Sequence, residues 1–225
     1  MSIIPRARGV VLRPFRGPLE AAIVRSFHRL YYHSASRTWS NTYWLGTQTQ
    51  KCPLDLWVYQ EILHELRPEA IVETGTASGG SASYLAAICD LLGTGRIVTV
   101  DVVERERPAH ERVTYLTGSS TDPQIAAQVL EFVGDDSPVL VILDSDHSRD
   151  HVLEELRLYA PLVTPGSYVI VEDTNVNGHP VSPDFGPGPM EAVDEFLRES
   201  AEFAVDAERE KLLLTFNPRG YLRRR

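Results

Sequence analysis

A chain of 225 residues, 43% hydrophobic and 24% charged, has enough apolar material for one buried α/β core and lacks the bias of a fibrous or disordered protein. Its formal net charge of −9 and its two isolated cysteines, Cys52 and Cys89, argue against a general nucleic-acid binder, a zinc ribbon and a disulfide scaffold. No stretch approaches the roughly 20 apolar residues of a membrane span, and the basic N-terminus lacks a continuous apolar run. The expectation is therefore a cytoplasmic protein with neither a nucleic-acid nor a membrane partner.

Met1–Pro18, rich in arginine, proline and glycine, reads as an extended arm, and Leu19–Tyr32 as a helix. Ser34–Pro53 is polar and aromatic, with two tryptophans, and suits either a packed loop or a substrate lid. Residues 1–53 thus form an N-terminal extension, and residues 54–225 the main domain. Leu54–Glu65 has helical spacing at Leu56, Trp57, Tyr59, Ile62 and Leu63. A short strand at Ala70–Glu73 is followed by a helix over Ser81–Leu92, then by strands at Arg96–Val102 and Val113–Thr117. Asp122–Pro123 starts a helix over Gln124–Phe132, because aspartate caps and proline suits the first helical position. Val139–Leu143 is a strand, Arg149–Tyr159 a helix, Ser167–Val171 a strand, and Gly188–Ser200 contains the next helix. Ala201–Asp206 and Lys211–Asn217 complete the set as an expected antiparallel edge pair. Strands that are apolar throughout and alternate with helices mean a parallel sheet covered on both faces. The predicted fold is α/β: a Rossmann-like, doubly wound, mostly parallel seven-stranded sheet.

Two places carry chemistry. The first is Glu73-Thr74-Gly75-Thr76-Ala77-Ser78-Gly79-Gly80-Ser81, a glycine turn between a strand and a helix. Glycine lets the backbone approach a ligand, and the helix N-terminus offers free N–H groups. Neither GxGxxG nor a P-loop is present, so pyrophosphate and triphosphate ligands are poorly supported. Glu73 ends one strand and suits an ammonium group; Asp101 ends the next and suits ribose hydroxyls. Gly118–Asp122, after the third strand, adds Ser119 and Ser120. Glu73, Gly75, Thr76, Ala77, Ser78, Ser81, Asp101, Ser119 and Ser120 are the candidate cofactor residues.

The second is an acidic edge. Asp144 and Asp146 follow the fourth strand, and Glu172 and Asp173 the fifth. Four converging carboxylates need a cation or bound protons, and hard oxygen donors without cysteine suit Mg²⁺. His147 is placed either to take a proton from a hydroxyl or to bond the acids. The long loop Asn177–Pro189, with four prolines and three glycines, lies next to this edge and is expected to help cover substrate.

The segments KCPLDLWVYQEIL, RPEAIVETGTASGGSA, LDSDHSRDHVLEELRLYAPLV and PGSYVIVEDTNVNG resemble the cephalosporin hydroxylase family over about Asn41 to Leu197. Despite its name, that family is similar to S-adenosylmethionine-dependent O-methyltransferases, including enzymes acting on rhamnosyl groups. The resemblance implies a class I methyltransferase fold, S-adenosylmethionine and Mg²⁺ as cofactors, and often a homo-oligomer. It implies Asp146, Glu172 and Asp173 as metal ligands, with the glycine turn, Asp101, Ser119 and Ser120 around the cofactor. Strand geometry alone makes Asp144 as good a ligand as Asp146, and Asp144 is ranked second or as a cofactor neighbour. The expected activity is Mg²⁺-assisted methyl transfer to a hydroxyl of a small natural product or sugar, with Asp146 and His147 at the reacting centre. Two alternatives from other classes are a non-enzymatic assembly partner and an NAD(P)-dependent oxidoreductase. The second lacks GxGxxG and a Tyr-xxx-Lys pair.

Overall fold

The computed structural model describes residues 13–135 and 137–225, with side chains from residue 17 onward. Helix α1, Arg13–His33, starts inside the stretch expected to be an extended arm and carries Pro18 within it; the rest of that arm lies outside the described residues. The segment after it is folded rather than loose. Two short 3₁₀ turns, Ala35–Arg37 and Trp39–Asn41, lead into a ribbon of β1 (Tyr43–Trp44) and β2 (Thr47–Gln48). Trp39 stacks on Tyr32 at 5.6 Å between ring centroids and donates from Nε1 to the Tyr32 carbonyl.

The main domain begins with α2, Pro53–Leu66, and β3, Ala70–Thr74. It continues with α3 (Gly80–Leu92), β4 (Arg96–Asp101), β5 (Val113–Thr117), α4 (Pro123–Val133) and β6 (Val139–Leu143). Then come α5 (Arg149–Tyr159), β7 (Tyr168–Val171), α6 (Pro189–Glu199), β8 (Phe203–Val205) and β9 (Tyr221–Arg224). As expected from sequence, Asp122 caps α4, its carboxylate accepting from Gln124 N, with Pro123 next in line.

The seven strands β3 to β9 form one sheet in the order β5-β4-β3-β6-β7-β9-β8. Neighbours from β5 to β7 are parallel, and β9 runs antiparallel to both β7 and β8. Successive residues of each strand serve opposite faces. Val72, Val98, Val141 and Val169 pack against α4, α5 and α6, while Ile71, Ile97, Leu140 and Ile170 pack against α2 and α3. Strand order reverses between β3 and β6. The register pairs Thr74 with Leu143 and Leu143 with Val171, so residues 75, 144 and 172 emerge side by side at the carboxyl edge. A reversal point at that edge is where open α/β sheets bind ligands.

One expected strand is elsewhere. Lys211–Asn217 is not in the sheet; the antiparallel strand is Tyr221–Arg224. The apolar residues of the earlier stretch belong to a separate small core, in which Leu214 and Phe216 meet Tyr31, Tyr32, Trp39 and Leu54. The Phe216 N–H donates to the Asp55 carboxylate at 2.9 Å instead of to a neighbouring strand. Entry into the sheet waits for Gly220, where a Cβ would stand 2.2 Å from the Val171 carbonyl oxygen.

Asp55 therefore pins the C-terminal segment to α2, accepting from Phe216 N and from the Tyr221 hydroxyl. Burial pushes its carboxyl up to about 7, against the pull of its hydrogen bonds. A carboxyl raised on folding stabilises most below its unfolded value near 4 and loses that contribution as pH rises through about 7. Asp55→Asn keeps an acceptor without the titration. Urea denaturation at pH 5 and pH 8 should show the variant losing less stability across that interval than the parent, by roughly 1–3 kcal/mol. Equal losses would remove Asp55 as the titrating group.

Candidate active site

The glycine turn is shaped by one contact. Gly75 has φ +86°, and a Cβ there would sit 1.8 Å from the Asp144 carbonyl oxygen. Only glycine lets the turn after β3 lie against the end of β6. Gly75 N donates to Val100 O and Asp144 N to Thr74 O, so the ends of β4, β3 and β6 are tied together. Ala77, also at positive φ, points its N–H at Asp101 Oδ2 (2.7 Å), while Asp101 Oδ1 accepts from Val103 N. Asp101 is thus oriented by the turn it faces.

Glu73 is fully buried and accepts from Thr99 Oγ1 at 2.6 Å. Its other oxygen, Oε1, is buried without a hydrogen-bond partner. Burial raises this carboxyl, opposed by Lys51 and the nearby Ser81 and Thr99 hydroxyls. A buried carboxylate oxygen with no donor is an acceptor waiting for one, so the turn fits a ligand that brings an ammonium or hydroxyl group.

Two cavities open here, on either side of the loop between β6 and α5. One, of about 310 Å³, is bounded by Gly75, Thr76, Ala77, Ser81, Asp101, Asp144, Ser145, His147 and Asp173, and by Tyr32, Trp39, Thr49 and Gln50 from the N-terminal segment. The other, of about 300 Å³, is bounded by Gly75, Asp101, Gly118, Ser120, Ser145, Asp146 and His151. Glu73, Ser78 and Ser119 line neither: Glu73 is enclosed at the end of β3, while the two serines sit on the turns that do. Residues 177–189, expected to cover substrate, also line neither; Gly178, His179 and Pro180 instead border a cavity with Val24, Arg25 and His28.

The acids divide between these spaces. Asp144, His147 and Asp173 can each offer a ligand atom within 4.8 Å of the others, an arrangement that suits a small hard cation. Asp173 sits at φ +52°, a conformation aspartate tolerates better than most residues. Its Oδ2 lies 3.2 Å from His147 Nε2. Burial pulls the imidazole down, but the charges of Asp173, Asp144 and Glu172 outweigh it and raise the group overall.

Asp146, placed first among the metal ligands by resemblance, points the other way. Its Oδ1 accepts from Ser148 N at 2.7 Å, closing a tight turn just ahead of α5, and the bonds to Ser148 hold its carboxyl below the usual range. The loop turns Asp144 and Asp146 into different cavities, and Asp144 is the acid that meets Asp173. Glu172 stands behind that group, 6% exposed, with Oε1 accepting from Tyr59 OH (2.8 Å) and from Lys51. Burial and the Asp144 charge push its carboxyl up to about 7, against the attraction of Lys51.

Lys51, Tyr59 and Asn217 are site residues that sequence reasoning missed. Asn217 Nδ2 donates to Tyr59 OH, and its Oδ1 accepts from Asp173 N. His151 also joins the site: its Nε2 lies 3.0 Å from Ser120 Oγ and 3.1 Å from Ser145 Oγ, with Glu155 behind. The spacing His151–Glu155, one helical turn, was visible; what it would touch was not.

The family model "Rhamnosyl O-methyltransferase/CmcI" matches residues 36–225. The chain belongs to this family. A rhamnosyl O-methyltransferase of Mycobacterium tuberculosis (strain ATCC 25618 / H37Rv) is 41% identical over 209 residues, covering 89% of this chain and 84% of the relative. Its counterpart in Mycobacterium leprae (strain TN) is 37% identical over 224 residues, covering 96% and 95%. Among solved structures, cmcI with Mg and SAM superposes with a TM-score of 0.64 at 24% identity, covering 83% of this chain and 77% of that one. The CmcI apo-structure gives the same TM-score at 22% identity and covers 100% and 87%. The seven-stranded architecture is therefore that of S-adenosylmethionine-dependent methyltransferases.

Gly75→Ala tests the contact on which both cavities depend. The added methyl group and the positive φ together should cost about 3 kcal/mol or more, lower the melting temperature and abolish ligand binding at the turn. Thermal melts and calorimetry with S-adenosylhomocysteine read this; parental stability and affinity would show that the turn relaxes freely.

Proposed function

We propose that this member of the family transfers a methyl group from S-adenosylmethionine to a hydroxyl of a sugar or small natural product, with Mg²⁺ at the acidic edge. What carries the reading is the meeting of the glycine turn, Asp101, Asp144, His147 and Asp173 on a single cavity at the carboxyl edge. The mycobacterial relatives are named for action on rhamnosyl groups, which makes a deoxysugar hydroxyl the first acceptor to test.

In this reading Glu73 receives the ammonium end of the cofactor, and Asp101 its ribose hydroxyls. Ser120 and His151 border the space left for the base. Asp144 and Asp173 are assigned to hold the cation, with Glu172 close behind and His147 beside them; Asp146 is reassigned to the turn that leads into α5. A bound Mg²⁺ would supply electrostatic stabilisation of the acceptor oxygen as its proton leaves. The acceptor oxygen forms the new bond to the methyl carbon as the carbon–sulfur bond breaks, and the hydroxyl proton passes to a base, for which His147 is positioned. Catalysis rests chiefly on holding two reactants in line in a space closed by Tyr32, Trp39, Thr49 and Gln50.

Self-association is part of the proposal. Leu19, Ile23, Phe27 and Leu30 form a stripe along α1 and are 51–65% exposed, more apolar surface than a lone helix normally leaves in water. Residues 1–33 hold six arginines and one glutamate in a chain whose net charge is −9, so a second copy offers a complementary acidic surface. Leu19→Glu/Ile23→Glu should shift sedimentation velocity toward the monomer; an unchanged profile would remove this face from the contact.

The activity is tested with S-adenosylmethionine and a panel of rhamnosides, with turnover lost on chelation and restored by Mg²⁺. Asp144→Asn should lower kcat by about two orders of magnitude, and Asp146→Asn by less than about tenfold. The opposite ranking would return Asp146 to the cation group, and no cofactor binding at millimolar concentration would sink the whole reading.

A further inference from the structure

The acidic edge is closed by a residue that belongs to none of its strands. Lys51 lies two residues before α2, at the end of the N-terminal segment, and is 4% exposed. Its ammonium donates to Asp144 Oδ2 at 2.5 Å and to Glu172 Oε1. A buried ammonium is strongly unfavourable unless paired, and the same holds for each buried carboxylate. Both carboxylates rely on this one ammonium, so its removal leaves two buried acids without their cation.

Asp144 and Glu172, with Asp173 beside them, are three acids against the one ammonium of Lys51, so the edge keeps an excess of carboxylates that a cation can offset. The segment that delivers Lys51 is also seated against the glycine turn: at Gly80 a Cβ would lie 2.2 Å from the Gln48 carbonyl oxygen. Thr49 and Gln50 then form part of the cavity wall. One side chain thus joins the wall to the acids.

We propose that Lys51 is a positioning residue, an internal counter-ion that holds Asp144 and Glu172 in place, offsets part of the negative charge of the edge, and couples cation binding to the seating of residues 34–53. The proposal rests on the cation reading given above. Without Lys51, a divalent ion takes over part of its neutralising role, and the segment loses its anchor until the ion arrives.

The test compares the full-length parent, Lys51→Met and Lys51→Met/Glu172→Gln by thermal melts with and without millimolar Mg²⁺. Lys51→Met should melt about 5 °C or more below the parent without Mg²⁺, and gain more from Mg²⁺ than the parent does. The double variant should recover stability without Mg²⁺, since neutral glutamine no longer needs the ammonium. Limited proteolysis within residues 34–53 should be faster in Lys51→Met and slow when Mg²⁺ is added. An equal response to Mg²⁺ in parent and Lys51→Met, a double variant no more stable than the single, or unchanged proteolysis would overturn the proposal. A parent that shows no stabilisation by Mg²⁺ or Mn²⁺ would instead sink the cation reading. The cation-free comparison of single and double variants then still decides whether Lys51 neutralises Glu172.

Discussion

The close approach of Gly75 to the Asp144 carbonyl is the constraint on which the site depends. Any side chain at residue 75 would force β3 and β6 apart at their carboxyl ends, and both cavities are built around that junction. The contact needs a left-handed backbone at Gly75 and the parallel register that ends both strands together. Helix packing on the two faces of the sheet then keeps the junction in place. The chemistry at the edge is thus set by backbone geometry before any charged side chain is considered.

Electrostatics is the second layer. Collecting Glu73, Asp144, Glu172 and Asp173 within one sheet edge is unfavourable in itself, and burial raises the carboxyls of Glu73, Asp144 and Glu172. The fold answers with Lys51, Tyr59 and Asn217, which reach the acids from the segment ahead of α2, from α2 itself and from the C-terminal segment. These partners come from opposite ends of the chain, so the main domain cannot assemble its edge without both. The Asp55 bonds to Phe216 and Tyr221 secure the same junction from below.

Much of this was legible in the sequence, for physical reasons. Parallel strands buried on both faces are continuously apolar, which made Val139–Leu143 and Ser167–Val171 plain, and an acidic residue straight after such a strand must lie at its edge. Period alone could not place Leu212–Phe216, because an apolar run reads the same whether it joins a sheet or a satellite core. The choice between Asp144 and Asp146 depended on side-chain direction in a short loop. The loop there turns the two carboxylates into different cavities, and resemblance favoured Asp146 where the geometry favours Asp144. Lys51 was invisible for a different reason: a lone lysine between a glutamine and a cysteine carries no mark of burial, and its partners lie 93 and 121 residues away.

The wall facing the acids is made of Tyr32, Trp39, Thr49 and Gln50, none of which belongs to the seven-stranded sheet. Mutation can therefore reshape this wall while leaving the strand ends untouched, which gives evolution a surface to vary apart from the sheet edge it faces. The freedom is uneven. Near Lys51 the segment is tethered by its ion pairs, whereas Tyr32 and Trp39 are held mainly by ring packing that other aromatic residues could reproduce. New acceptor preferences in this lineage should arise first at the end of the wall farthest from the lysine.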